Sequence, residues 1–130
     1  MNETQRELLG RAQRAIQEAE ALLGAGHRGG VVNRAYFAAF YAAVAAIRDT
    51  DTTSSRHSRI ISEFGRRFGR DPAFEGHRAT LKVLEDRRKL ADYSEADTTT
   101  AELAAELVAL ARSFIDTVAG RLAASPDSSS

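Results

Sequence analysis

The sequence predicts an all-α fold, an up-and-down bundle of four long helices plus one short helix. Two observations carry that prediction. No segment of the 130 residues alternates apolar and polar side chains with period two, while several show apolar residues at helical spacing. The run Asn33 to Ile47 has no Gly, no Pro and a single charge, on Arg34. Its alanines favour helix, and its length exceeds that of a typical strand. Apolar residues occupy every side of the turn, so this helix must be surrounded by the others. It is too short and too Ala-rich for a convincing membrane span. The polar atoms of Asn33, Arg34, Tyr36 and Tyr41 must then find partners inside the fold or face a pocket.

The first helix is expected from about Thr4 to Leu23, with Thr4-Gln5-Arg6-Glu7 as a capping box. Leu8, Leu9, Ala12, Ala15, Ile16, Ala19, Leu22 and Leu23 make its apolar stripe. Gly24, Gly26, Gly29 and Gly30 break the chain, with His27 as a solvated loop histidine. The central helix follows, from about Val31 to Arg48. The wholly polar run 49–55 reads as a surface loop, with Ser54 or Ser55 capping the short helix.

In that short helix Ile60, Ile61, Phe64 and Phe68 form a narrow seam, and Arg59, Glu63, Arg66, Arg67 and Arg70 lie outside it. His57 falls in its first turn, where the helix dipole favours the neutral ring. Asp71-Pro72 looks like an N-cap followed by proline at the first helical position. The fourth helix should run from there, or from Gly76, to about Leu90, with Ala73, Phe74, Leu81, Val83 and Leu84 as its apolar set. Thr99-Thr100-Ala101-Glu102 is a second capping box. It opens a last helix that buries Leu103, Leu107, Leu110, Ala111, Phe114 and Val118. Residues 1–123 are expected to form one domain and 124–130 a disordered tail.

There is no Cys, so thiol chemistry is excluded. The polar N-terminus argues against a secretory leader, and a cytoplasmic location is expected. The formal net charge of zero hides a gradient. Residues 56–89 hold ten basic side chains against five acidic ones, and residues 90–130 two against seven. An anionic ligand is therefore favoured by the middle of the chain, unless that segment only pairs with the acidic last helix.

A carboxylate-bridged metal site in a bundle needs Glu-x-x-His, and none of the three histidines has a Glu three residues before it. No metal and no cofactor are expected. A nucleophile elbow and a Walker-type loop are absent too. What remains is a set of polar residues at helix ends: Asn33 and Arg34, His57 and Ser58, then Arg87, Arg88, Asp92 and Tyr93. Brought together, they would bind a phosphodiester, polarise it and move its proton. The bland alternative is an intrahelical Arg88–Asp92 ion pair beside a core of Tyr36, Phe37 and Phe40.

Three segments resemble a subfamily of HEPN domains (higher eukaryotes and prokaryotes nucleotide-binding). Asn33-Arg34-Ala35-Tyr36-Phe37-Ala38-Ala39-Phe40 is similar to its N/S-R-A-Y-Y-A-x-F signature. His57-Ser58-Arg59-Ile60-Ile61-Ser62-Glu63-Phe64-Gly65 resembles its H-S-x-h-I-x-x-F-G segment, and Arg88-Lys89-Leu90-Ala91-Asp92-Tyr93 its R-x-x-A-D-Y segment.

The resemblance implies a four- or five-helix bundle, usually a homodimer, often encoded with a minimal nucleotidyltransferase as a toxin–antitoxin or defence pair. Many members of the wider family are metal-independent endoribonucleases with an Arg-x4–6-His motif. This sequence departs there: neither Arg87 nor Arg88 is followed by a His at that spacing. Arg70 and His77 match the spacing formally, but Pro72 and Gly76 lie between them. The expectation is a nucleotide- or RNA-binding HEPN-like domain, with His57 and Arg88 as catalytic candidates if it cleaves RNA. Asn33, Arg34, Asp92 and Tyr93, with Arg66, Arg67 and Arg70, are the expected nucleotide or RNA contacts. A homodimer and a nucleotidyltransferase are the expected partners, with no membrane. The alternative is a non-catalytic helical protein-interaction module.

Overall fold

The structure, a computed structural model, describes residues 1–49, 56–93 and 99–124, and among them every regular element is helical. The elements are α1 (Glu3–Gly24), α2 (Arg28–Ile47), α3 (His57–Phe68), a 3-10 turn (Pro72–His77), α4 (Thr80–Tyr93) and α5 (Ala101–Ala124). The bundle is the one expected, with α1, α2, α4 and α5 as the long helices.

Thirteen of the twenty residues of α2 are buried, and from Ala42 to Ile47 the burial is unbroken. By length and mean hydropathy, 1.4, α2 would qualify as a membrane span. However, 72% of that apolar window is buried inside the protein, which is what a central core helix requires.

Long-range bonds fix the helix directions. Asn2 and Gln5 reach the carbonyls of Arg48 and Ala45, so α1 runs antiparallel to α2. Arg28 bonds the Thr99 carbonyl at the start of α5, so α2 and α5 start at the same end of the bundle. His57 touches Tyr36, Phe37 and Phe40, whereas Arg67 touches Ile47 and Asp49. The short α3 therefore runs in the same sense as the second half of α2. That places its first residue at mid-height, against the middle of the central helix.

Several local expectations are corrected. The capping box of α1 uses Asn2 and Gln5, not Thr4 and Glu7: Gln5 N–H donates to Asn2 Oδ1 at 2.8 Å, and Asn2 N–H to Gln5 Oε1 at 3.0 Å. This register wins because the same two amides also satisfy C-terminal carbonyls of α2. Helix α2 begins at Arg28, with Gly29 and Gly30 inside its first turn. A Cβ on Gly30 would stand 3.1 Å from Leu22 Cδ1, so the glycine allows α1 and α2 to approach closely. Of the four glycines only Gly26, at φ 80°, turns the chain.

The N-cap of α3 is Arg56, without a side-chain cap bond; Ser54 and Ser55 lie outside the described residues. The expected fourth helix is split. Asp71 caps the 3-10 turn by accepting from Ala73 N–H at 2.9 Å, and Phe74 leaves helical geometry to bury itself among Phe64, Phe68 and Phe114. On α4, Val83 is exposed and Glu85 buried instead. The cap of α5 is Thr100, which accepts from Leu103 N–H at 3.0 Å. Leu103 and Leu110 are only half-buried, and Ala104, Val108, Ile115 and Leu122 take the core positions. The expected tail beyond Ala124 lies outside the described residues.

Candidate functional site

Tyr36, Phe37 and Phe40 form an aromatic face on α2, at i, i+1 and i+4. Two other helices deliver polar groups to it. From α3 comes His57, whose ring stacks on Phe40 at 4.1 Å between centroids and meets Phe37 edge-on at 5.7 Å. Its Nδ1 lies 2.9 Å from the Tyr36 hydroxyl. From α4 comes Arg88, whose guanidinium carbon sits 4.8 Å from the centre of the Tyr36 ring and 5.9 Å from that of Phe37. Such cation–π contacts gain strength when desolvated.

Asp92, one turn along α4, accepts from Arg88 Nη1 at 3.1 Å. The Nε of Arg88 is buried and has no hydrogen-bond partner among the described residues. Arg88 and His57, 31 residues apart in sequence, thus converge on the same two rings, as their places at helix ends led one to expect.

The electrostatics follow from this crowding. Burial, with a further push from Glu85 and against the pull of Arg88, raises the Tyr36 hydroxyl to about 12. Tyr36 is therefore protonated across the physiological range. Burial, then the positive charge of Arg88, holds His57 below its ordinary value, partly offset by Glu85. The imidazole is neutral near pH 7. The sequence had assigned that neutrality to the helix dipole; the structure adds burial and Arg88 as causes.

The remaining expected site residues divide. The Oδ1 of Asn33 accepts from Arg34 Nε at 3.2 Å and Nη2 at 3.1 Å. Arg34 in turn lies 5.3 Å from the Phe37 ring centre and 4.0 Å from Glu18. Asn33 and Arg34 thus join the cluster through Phe37, on its α1 side. Tyr93 is 82% exposed and lines a separate groove of about 510 Å³ with Asp86, Lys89 and Leu90.

Arg66, Arg67 and Arg70 are about three turns from His57, at the other end of α3. Arg66 pairs with Glu63 on its own helix. Arg67 is not a solvated cation: it donates to the Ile47 carbonyl at 3.2 Å and to Asp49 at 2.6 Å, closing the C-terminal end of α2. Arg70 is exposed.

Sequence reasoning did not name Tyr36 among the site residues, although it required a partner or a pocket for the Tyr36 hydroxyl. The residue is in the core, at 0% exposure, and His57 meets that requirement. Sequence reasoning missed Glu85, buried between Lys82 and Lys89, whose ammonium groups lie 3.7 and 3.4 Å away. The i−3 and i+4 lysines were the clue.

His77 belongs to another cluster, with Nδ1 2.9 Å from Thr80 Oγ1 and Nε2 3.0 Å from Ser113 Oγ. It is not joined to Arg70, so the formal Arg70–His77 spacing has no counterpart in a shared site. Among the described residues no group of three or more His, Asp or Glu side chains is placed to hold a metal ion.

The comparisons with known proteins agree with this architecture. Residues 5–122 match the HEPN domain. A relative in Gloeobacter violaceus, UPF0332 protein glr0978, is 35% identical over 100 residues, covering 75% of this chain and 78% of the relative. The match to the HEPN domain takes in every helix that contributes to the Tyr36–His57–Arg88 cluster, and the chain belongs to the HEPN domain family.

Proposed function

We propose that this HEPN domain binds the phosphate of a nucleotide or of RNA at the cluster of Arg88 and His57. HEPN membership supports a nucleotide- or RNA-binding type of module. The observation that carries the proposal further is the Arg88 guanidinium, which lies over the Tyr36 ring that His57 also meets and is engaged by Asp92 through Nη1. A guanidinium so placed can offer its remaining Nη–H groups to phosphate oxygens as a planar fork.

The test is binding of a short fluorescent single-stranded RNA across a salt series. Arg88→Ala should weaken binding and reduce the slope of log K against log salt by about 0.7, the share of one phosphate contact on a single strand. Arg88→Lys should restore the slope but not the full affinity, because an ammonium cannot reproduce the planar fork. Equal binding by wild type and Arg88→Ala would sink the assignment.

The wider role proposed is the HEPN half of a toxin–antitoxin or defence pair, a cytoplasmic homodimer that works with a minimal nucleotidyltransferase. Support for self-association comes from α4, where Val83, Leu90 and Tyr93 are exposed along one side of the helix beside the groove. Sedimentation at micromolar concentration that shows only a 14.1 kDa species would count against the dimer. Loss of binding to a co-expressed nucleotidyltransferase would count against the pair.

Metal-independent cleavage of RNA is the second reading, favoured by the meeting of a guanidinium and an imidazole on one aromatic face. Under it, Arg88→Ala and His57→Ala should each lower cleavage by ~10²–10⁴-fold with the fold intact.

A further inference from the structure

We propose that Tyr36 is a positioning residue that holds His57 as a neutral hydrogen-bond donor, with its proton on Nε2. The inference rests on the phosphate-binding role given above to the cluster, and concerns how the ring serves it.

The geometry decides which partner donates. The Tyr36 side chain is fully buried, and its hydroxyl has one hydrogen-bond partner among the described residues, His57 Nδ1 at 2.9 Å. If His57 donated from Nδ1, the tyrosyl proton would be left buried with nowhere to go, a costly arrangement. The hydroxyl therefore donates and Nδ1 accepts. A neutral ring that accepts at Nδ1 carries its proton on Nε2. Nε2 has no partner among the described residues, so its N–H is available to a ligand. The ring cannot rotate away cheaply, since Phe40 stacks on its face and Phe37 meets it edge-on.

The charged surroundings favour the same state. From α4 the groups acting on the ring are Arg88, which opposes protonation, and Glu85, which favours it less strongly. From α2 the titratable neighbour is Tyr36 itself, kept protonated by burial. Protonating His57 would place a proton on Nδ1 and break the bond from Tyr36.

The consequence for function is specific. His57 presents one donor and Arg88 another, and both suit an oxygen that accepts, such as a phosphodiester's. Neither nitrogen of His57 is free to take a proton from a ribose 2′-hydroxyl. The cluster is built to hold RNA or nucleotide, with His57 in the role of donor and not of general base.

The experiment is long-range nitrogen–proton NMR on protein labelled with ¹⁵N-histidine, recorded from pH 5 to 8. In the wild type at pH 7.5, His57 should show the Nε2–H tautomer alone. In Tyr36→Phe, which keeps the ring and the core, the midpoint for protonating His57 should rise, because the bond that opposed protonation is gone. The same variant should bind the fluorescent RNA roughly two- to tenfold less tightly, the range for disturbing one hydrogen bond. An Nδ1–H tautomer in the wild type overturns the proposal, as does a midpoint that stays or falls in Tyr36→Phe. Absence of RNA binding by the wild type would defeat the phosphate-binding role, while the tautomer and midpoint still decide whether Tyr36 positions His57.

Discussion

His57 and His77 sit in the same bundle, each hydrogen-bonded to a hydroxyl and each in contact with a phenylalanine. Both titrate below the ordinary histidine value, and for both the largest cause is burial. What differs is what is left over. His77 has a hydroxyl on each nitrogen, Thr80 on one side and Ser113 on the other, and so ties the start of α4 to α5. His57 has a hydroxyl on one nitrogen only, and Arg88 acts on the ring with an unpartnered Nε of its own. A histidine whose two nitrogens are satisfied by its own fold is a clasp. A histidine left with a donor beside a half-satisfied arginine has something to offer a ligand.

The largest effect that could separate the two lies beneath His77. Phe114 is fully buried and touches Phe64, Phe74 and His77. Phe114→Ala should cost about 3–5 kcal/mol in urea unfolding. It should leave the RNA affinity of the folded fraction unchanged, and a matching loss of affinity would mean that the two histidine regions are coupled.

Next comes the clasp itself. His77→Ala leaves Thr80, at 3% exposure, without its partner and should cost about 1–3 kcal/mol with no change in RNA binding. A drop in RNA affinity with unchanged stability would reverse the roles assigned to the two rings.

Acid should act on both. Each histidine has a folded-state value below its unfolded value of 6.5, so the native protein binds fewer protons than the unfolded chain. Their contribution to stability is then complete above pH 6.5 and is lost as the pH falls through the folded values. Melting temperatures measured from pH 8 to 5 should fall on the acid side, and His77→Gln should flatten part of that slope. A profile rising toward pH 5 would show that the rings are charged in the fold.

The smallest effect is expected far from either histidine. Arg66 is an exposed cation paired with Glu63 three residues away. Arg66→Ala should leave the melting temperature unchanged and at most reduce the salt slope of RNA binding by about 0.7. An affinity loss as large as that of Arg88→Ala would move the binding surface to the far end of α3.

The same contrast shows what a sequence discloses. The buried α2 was legible because a run with no polar face has only one place to go. That His57 and Arg88 meet was legible from their places at helix ends in a bundle, although nothing local brings residue 57 to residue 88. The caps of α1 and α5 were missed by two residues and by one. Thr4 and Thr99 satisfy the local pattern, but in α1 a longer-range gain, Asn2 and Gln5 on the carbonyls of α2, decides the register. The sequence left the fourth helix to start at Asp71-Pro72 or at Gly76; the later start is nearer the observed Thr80, because Phe74 leaves the helix for an aromatic cluster drawn from α3 and α5. Tyr36 was not named as a site residue because core and site share one side chain: the need of its hydroxyl for a partner was legible, but not that His57 would be that partner.

The most direct measurement is the NMR signal of the Arg88 Nε–H during titration with single-stranded RNA. Its burial should make it slow to exchange and visible near neutral pH. The account predicts that RNA shifts this resonance and the His57 Nε2–H together, while the nitrogens of His77 stay in place. RNA that binds while Arg88 and His57 remain unmoved would contradict it.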